Sequence, residues 1–137
     1  MSETTLKGIF AAVATLLTFV FGQWDTLMQG LVVFVTADLL AGSVAAVVTR
    51  DLDSGQLFHS ILRKVLVFVM VAVAAQLDKV MQTGQNPLLR TVTIWFFIGQ
   101  EGVSIIENAG RAGLPLPTAL RQALRRLHES PGAAPKG

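Results

Sequence analysis

Apolar residues in this chain gather into four blocks separated by short polar segments. The first runs from Gly8 to Phe21 without a charge, 14 residues or roughly 21 Å of helix, against a hydrocarbon core of about 30 Å. Leu6, a snorkelling Lys7 and an interfacial Trp24 extend it to a thin span over 6–24. A helix lying in the membrane plane is the rival reading, and no small-residue cleavage site follows the block to make it a signal peptide. The second block, Leu27 to Val48, is 22 residues and long enough outright. The third, Val65 to Leu77, spans over 63–81 if its charged flanks snorkel, and the fourth occupies 88–107 behind Asn86-Pro87. Thr49 to Ser60 reads as a connector with turn and cap chemistry in Asp51, Asp53, Ser54 and Gly55, and Thr83 to Pro87 reads as a turn. Gly113-Leu114-Pro115-Leu116-Pro117 breaks the last helix. Residues 118–129 then form a short amphipathic helix with Leu120, Leu124 and Leu127 opposite Arg121, Arg125 and Arg126. The pattern predicts an all-α integral membrane protein with three to four transmembrane helices, four favoured, in one membrane domain over 1–129 with a flexible tail over 130–137.

Composition sharpens this picture. Charged residues make up 15% and apolar residues 52% of 137 residues, where a soluble domain carries about 25% charge. The absence of cysteine removes disulfide scaffolds, thiolate metal sites and thiol nucleophiles. Four spans put both termini on one side. Lys7, Arg50, Arg63, Lys64, Arg111, Arg121, Arg125, Arg126 and Lys136 then share that side, leaving Lys79 and Arg90 opposite. The positive-inside rule makes the richer side cytoplasmic. In this reading Arg63, Lys64, Arg121, Arg125 and Arg126 fix topology and hold anionic lipid headgroups, and no nucleic-acid partner is needed.

Polar groups inside the apolar blocks are the candidate chemistry. Asp38 lies in the middle of the second block, and a carboxyl there costs about 2.5–3.5 kcal/mol on insertion scales unless it finds a partner or a use. Small residues surround it in two rows, Ala37-Ala41-Ala45 and Asp38-Gly42-Ala46, which allow close helix approach. Asp38 is then either a hydrogen-bonded member of a packing seam or a group that meets water when an assembly opens. In the fourth block Gln100, Ser104 and Glu107, with Glu101, Ser104 and Asn108, make a broad polar stripe. That stripe fits a bundle interior, an interface, or a self-association and pore-lining face. Cation or proton sites at Asp38 and Glu101, as in a small transporter, form a third reading, although no inverted repeat is visible. No phosphate loop, nucleophile elbow or metal-binding histidine pair occurs, so neither an enzyme nor a cofactor is expected.

Several of these residues occur in a familiar combination. Phe21-Gly22-Gln23-Trp24-Asp25 precedes Asp38-Leu39-Leu40-Ala41-Gly42. Glu101-Gly-Val-Ser-Ile-Ile-Glu-Asn-Ala109 is followed by Gly113-Leu114-Pro115-Leu116-Pro117. Over roughly residues 20 to 127 the chain resembles the bacteriophage holin family, which includes toxin-secretion holins. The resemblance implies that Trp24 and Asp25 open the second span, that Asp38 and Gly42 are its internal motif, and that Asp78 closes the third span. Gln23 and Gln100 depart from the glycine and asparagine common at those places. The resemblance also implies self-assembly into a homo-oligomer in the bacterial cytoplasmic membrane, with lesions that release a peptidoglycan hydrolase or a toxin. A non-permeabilising membrane adaptor is the remaining alternative.

Overall fold

The computed structural model describes residues 2–83 and 86–128, excepting the side chains of 124, 125, 127 and 128. Its elements are five helices: α1 (Glu3–Phe21), α2 (Thr26–Thr49), α3 (Ser54–Val80), α4 (Leu88–Arg111) and α5 (Thr118–His128). Among the described residues there is no strand. The expected tail over 130–137 lies outside them.

Helix starts follow local capping chemistry. Ser2 accepts from the Thr5 amide at 3.2 Å, Asp25 from Met28 at 2.9 Å, and Asp53 from Gly55 at 2.8 Å and Gln56 at 3.4 Å. Pro87, which precedes α4, provides no side-chain cap. Asp78 near the end of α3 performs that task across the turn, accepting from the Leu89 amide at 3.0 Å and the Arg90 amide at 2.8 Å. A carboxylate is well suited there, because it satisfies two orphan amides and complements the positive end of the helix dipole.

Two boundaries differ from expectation. The connector is only 50–53, and α3 begins at Ser54 rather than near residue 63. Hydropathy marks where a helix is apolar, whereas the Asp53 cap marks where it begins. The first span was expected to reach Trp24, but α1 ends at Phe21, with Gly22 at φ +82° behind it. It gains length at the other end instead, reaching 19 residues, or roughly 28 Å.

α1, α2 and α3 are each long and apolar enough to cross a membrane. α4 has the same 24 residues as α2 but a heavier polar load, so length alone does not put it in that group. It is nevertheless central to the packing: α2 lies chiefly against α4, α3 also packs on α4, and α2 and α3 touch little. Met28, Leu31 and Val35 of α2 meet Val67 and Val71 of α3 and Ile94 of α4 in the core. Gly102 admits the Phe34 ring, which would lie 3.4 Å from an added Cβ. α1 packs along α3, meets α4 where its last residue, Phe21, bonds Arg90, and buries none of its residues. Its Phe10, Leu16 and Phe19 are exposed, as befits a helix whose solvent is lipid.

Candidate functional site: a shared lysine inside the apolar bundle

The buried face of each inner helix carries charge in register with its apolar residues. The buried residues of α3 include Lys64, Val67, Val71, Ala74 and Asp78, those of α2 include Leu31, Val35 and Asp38, and those of α4 are Arg90, Ile94 and Glu101. Steps of three, four and seven keep these positions on one face. Folding therefore delivers three charged groups to one point. Lys64 Nζ donates to Asp38 Oδ2 at 2.6 Å and to Glu101 Oε2 at 2.9 Å. The three side chains are between 8% and 10% exposed, so the cluster is shielded by protein on nearly all sides. Asn108 Nδ2 donates to the second oxygen of Asp38 at 3.2 Å. Gly42 makes room for that amide, since an added Cβ would lie 3.4 Å from it.

Asp38 is roughly 17 Å from either end of α2 at about 1.5 Å per residue, so the cluster lies deep within the helices. Its environment decides its energetic importance. The Glu3–Lys7 pair at 2.7 Å is shorter than the Glu101 contact, yet its side chains are 74% and 80% exposed. Such a pair adds little, whereas removing one partner of a buried pair typically costs about 3–5 kcal/mol.

A cavity of about 1020 Å³ opens beside the cluster, between α2, α3 and α4. The buried Lys64, Asp38 and Glu101 line it with the half-buried Ser104 and Asn108, and the exposed Gln100, Asp51, Asp53 and Arg111 complete its lining. It exists because α2 and α3 diverge while both stay packed on α4.

A second polar assembly holds the opposite end. Arg90 is buried and donates to the Phe21 carbonyl at 2.6 Å, the Gln23 carbonyl at 2.7 Å, and both Asp25 oxygens at 2.9 and 3.2 Å. Gln76 and Lys79 bond the Phe19 carbonyl, and Gln76 also bonds that of Val20. These donors satisfy the carbonyls left open at the α1 C-terminus, which are expensive to leave bare next to lipid. Partial burial pushes the Asp25 carboxyl upward, but Arg90 and the Met28 amide outweigh it and hold it below the usual carboxylate range. Gly22 is needed here on two counts, its positive φ and an Arg90 Nε that would lie 3.0 Å from an added Cβ. Gly22→Val should cost about 1–2 kcal/mol. A lowered melting temperature in detergent would show it; an unchanged one would contradict the tight fit.

Lys64 is not the headgroup anchor expected from its place beside Arg63: it faces inward while Arg63 stays exposed. One residue turns a helix face by about 100°, and Lys64 rather than Arg63 shares the face of Val67 and Val71. Of the α4 stripe, Glu101, Ser104 and Asn108 turn inward, whereas Gln100 and Glu107 are exposed. Ala45 is fully buried and Ala41, Gly42 and Ala46 are half-buried, so the small rows serve packing within the chain. Arg121 and Arg126 are exposed on α5, and the Arg125 side chain lies outside the described residues. Trp24 is exposed beside the capping Asp25. Gly113 takes φ +89°, and Leu114, Pro115 and Pro117 form the exposed link to α5. Arg90 was missed as a site residue and Lys64 was assigned to the headgroups, although their spacing to Ile94 and to Val67 and Val71 is a signal present in the sequence.

Fold and site together define a small multi-pass helical membrane protein with a charge cluster held inside its apolar bundle. The chain matches the model of the bacteriophage holin family over residues 2–129, and it belongs to that family. A probable holin of Bacillus phage phi105 is 32% identical over 110 residues, covering 80% of this chain and 77% of that protein. An uncharacterised protein of Halalkalibacterium halodurans is 40% identical, covering 91% and 95%. Another, of 14.9 kDa from Clostridium perfringens, is 35% identical, covering 90% and 92%. No solved structure matches.

Proposed function

We propose that the protein is a holin that accumulates in the bacterial cytoplasmic membrane, with both termini inside, and assembles into lesions that let a peptidoglycan hydrolase or a toxin through. The observation that carries this reading is the Asp38–Lys64–Glu101 cluster: a polar face that each chain keeps turned inward. A single chain pairs those charged groups with one another and passes apolar α1, α2 and α3 surfaces to lipid. Assembly supplies the alternative. When neighbouring copies pull α2, α3 and α4 apart, Asp38, Lys64, Glu101, Ser104 and Asn108 exchange one another for water and line a lumen. The small-residue rows of α2, which contact α4 in the closed chain, become the seam between copies. A chain of 137 residues encloses little by itself, so a lesion passing a folded protein needs many copies.

Expression of the chain alone in a bacterium should leave growth normal until membrane potential collapses abruptly. Co-expression with a cytoplasmic peptidoglycan hydrolase should convert that collapse into lysis. A potential-sensitive dye and culture turbidity read the two events. Sustained potential despite confirmed membrane accumulation would overturn the reading.

A further inference from the structure

The bridging cluster does not balance its charge. Asp38 and Glu101 bring two carboxyl groups to one ammonium, and among the described residues no second cation is bonded to either. Fully ionised, the cluster holds one surplus negative charge in a shielded site deep within the helices, where an uncompensated charge is strongly disfavoured. We propose that the Asp38–Lys64–Glu101 cluster is a proton-binding site, with one proton held on Glu101 and exchanged through the cavity that opens toward the α2–α3 connector.

Hydrogen bonding selects the carboxyl. Asp38 takes the shorter Lys64 bond, 2.6 Å, and a second from Asn108 at 3.2 Å, so both of its oxygens are occupied by donors. Glu101 receives one bond, from Lys64 at 2.9 Å. Donors stabilise the ionised form, so the anion settles on Asp38 and the proton on Glu101, although the pair titrates as a unit. The other charged groups lining the cavity do not alter this count. Arg63 of α3 and Arg111 of α4 are exposed, and Arg111 donates to Asn108 at 3.1 Å rather than to either carboxylate. Asp51 and Asp53 lie toward the connector and are themselves exposed. With about 1020 Å³ and with Ser104, Asn108, Asp51 and Asp53 among its largely apolar lining, the cavity has room and polar partners for the waters that would carry the proton.

Infrared difference spectroscopy of the full chain in lipid vesicles tests this without requiring lesions. At neutral pH the wild type should show the carbonyl band of a protonated carboxylic acid, shifted in deuterated water and lost on alkaline titration. Glu101→Gln, which mimics the protonated side chain, should remove that band and retain the wild-type helix content. Asp38→Asn should also remove it, since Glu101 then becomes the single counterion of Lys64. Lys64→Met should enlarge it, because both acids are then protonated. A neutral-pH wild type without the acid band, a band unchanged in Glu101→Gln, or a cluster neutralised by sodium instead of protons would overturn the proposal. Dye release from the same vesicles reports lesion formation separately, so loss of the holin reading and loss of the proton site give different results.

Discussion

Replacing Lys64 with methionine should destabilise the fold by about 3–5 kcal/mol, the cost of leaving buried carboxyl groups without their cation. The substitution keeps most of the side-chain volume, so the effect isolates charge from packing. Lys64 bonds both Asp38 and Glu101 across three helices, and its loss leaves two acids facing each other in an apolar surround. Lys7→Met is the matching control, because its partner Glu3 is exposed and already solvated; no measurable change should follow. Adding Asp38→Asn and Glu101→Gln to Lys64→Met should recover most of the lost stability, since neutral amides can bond one another without first taking up the protons that both acids need at neutral pH. Melting temperature in detergent and the steady-state amount in the membrane fraction check these outcomes. A Lys64→Met variant as stable as wild type would show that the cluster is hydrated in the closed chain.

Arg90→Ala should cost a similar amount, about 3–5 kcal/mol, and should act mainly on α1. Its guanidinium fork holds the carbonyl of the last α1 residue, Phe21, that of Gln23 just beyond, and both oxygens of Asp25, so one truncation strips four hydrogen bonds and a helix-end partner. Gln76 and Lys79 remain to hold Phe19 and Val20, which leaves α1 tethered but misdirected. Hydrogen exchange should accelerate across the end of α1 and the start of α2 while the α2–α4 contact stays protected. Arg90→Lys should rescue little, because an ammonium cannot reproduce the planar fork. Uniformly slow exchange in Arg90→Ala would show that Gln76, Lys79 and the packing on α3 hold the end of α1 without Arg90.

Much of the fold was legible because the relevant signals are local. Apolar block lengths announced the helices, and Asp25 and Asp53 cap two of their starts through side chains that reach amides two or three residues away, although the expected start of α3 near residue 63 passed over the second. Asp78 marks the limit of that logic. It sits at the end of α3, yet its function is to cap α4 from 11 and 12 residues away, a relation set by how the turn folds back. The α3 start was misplaced because the mixed stretch from Ser54 to Lys64, with Gln56, His59, Ser60 and Arg63 among its apolar residues, continues the helix beyond its uninterrupted apolar part. Lys64 itself was legible in principle: its face is given by the spacing to Val67 and Val71, but adjacency to Arg63 makes it look like half of an interfacial pair.

The sequence by itself determined that this is a helical membrane protein, and that Asp38 and Glu101 must find partners among its apolar helices. Hydrophobicity, helical period and insertion cost act along the chain, and each can be evaluated residue by residue. Only the tertiary structure decided which partners they find. Lys64 lies 26 residues from Asp38 and 37 from Glu101, and Arg90 lies 65 from Asp25. Those distances are closed by the register and divergence of packed helices. Side-chain packing on α4 sets them: it draws α2 close, keeps α3 attached, and leaves between the two the cavity onto which the shared lysine opens.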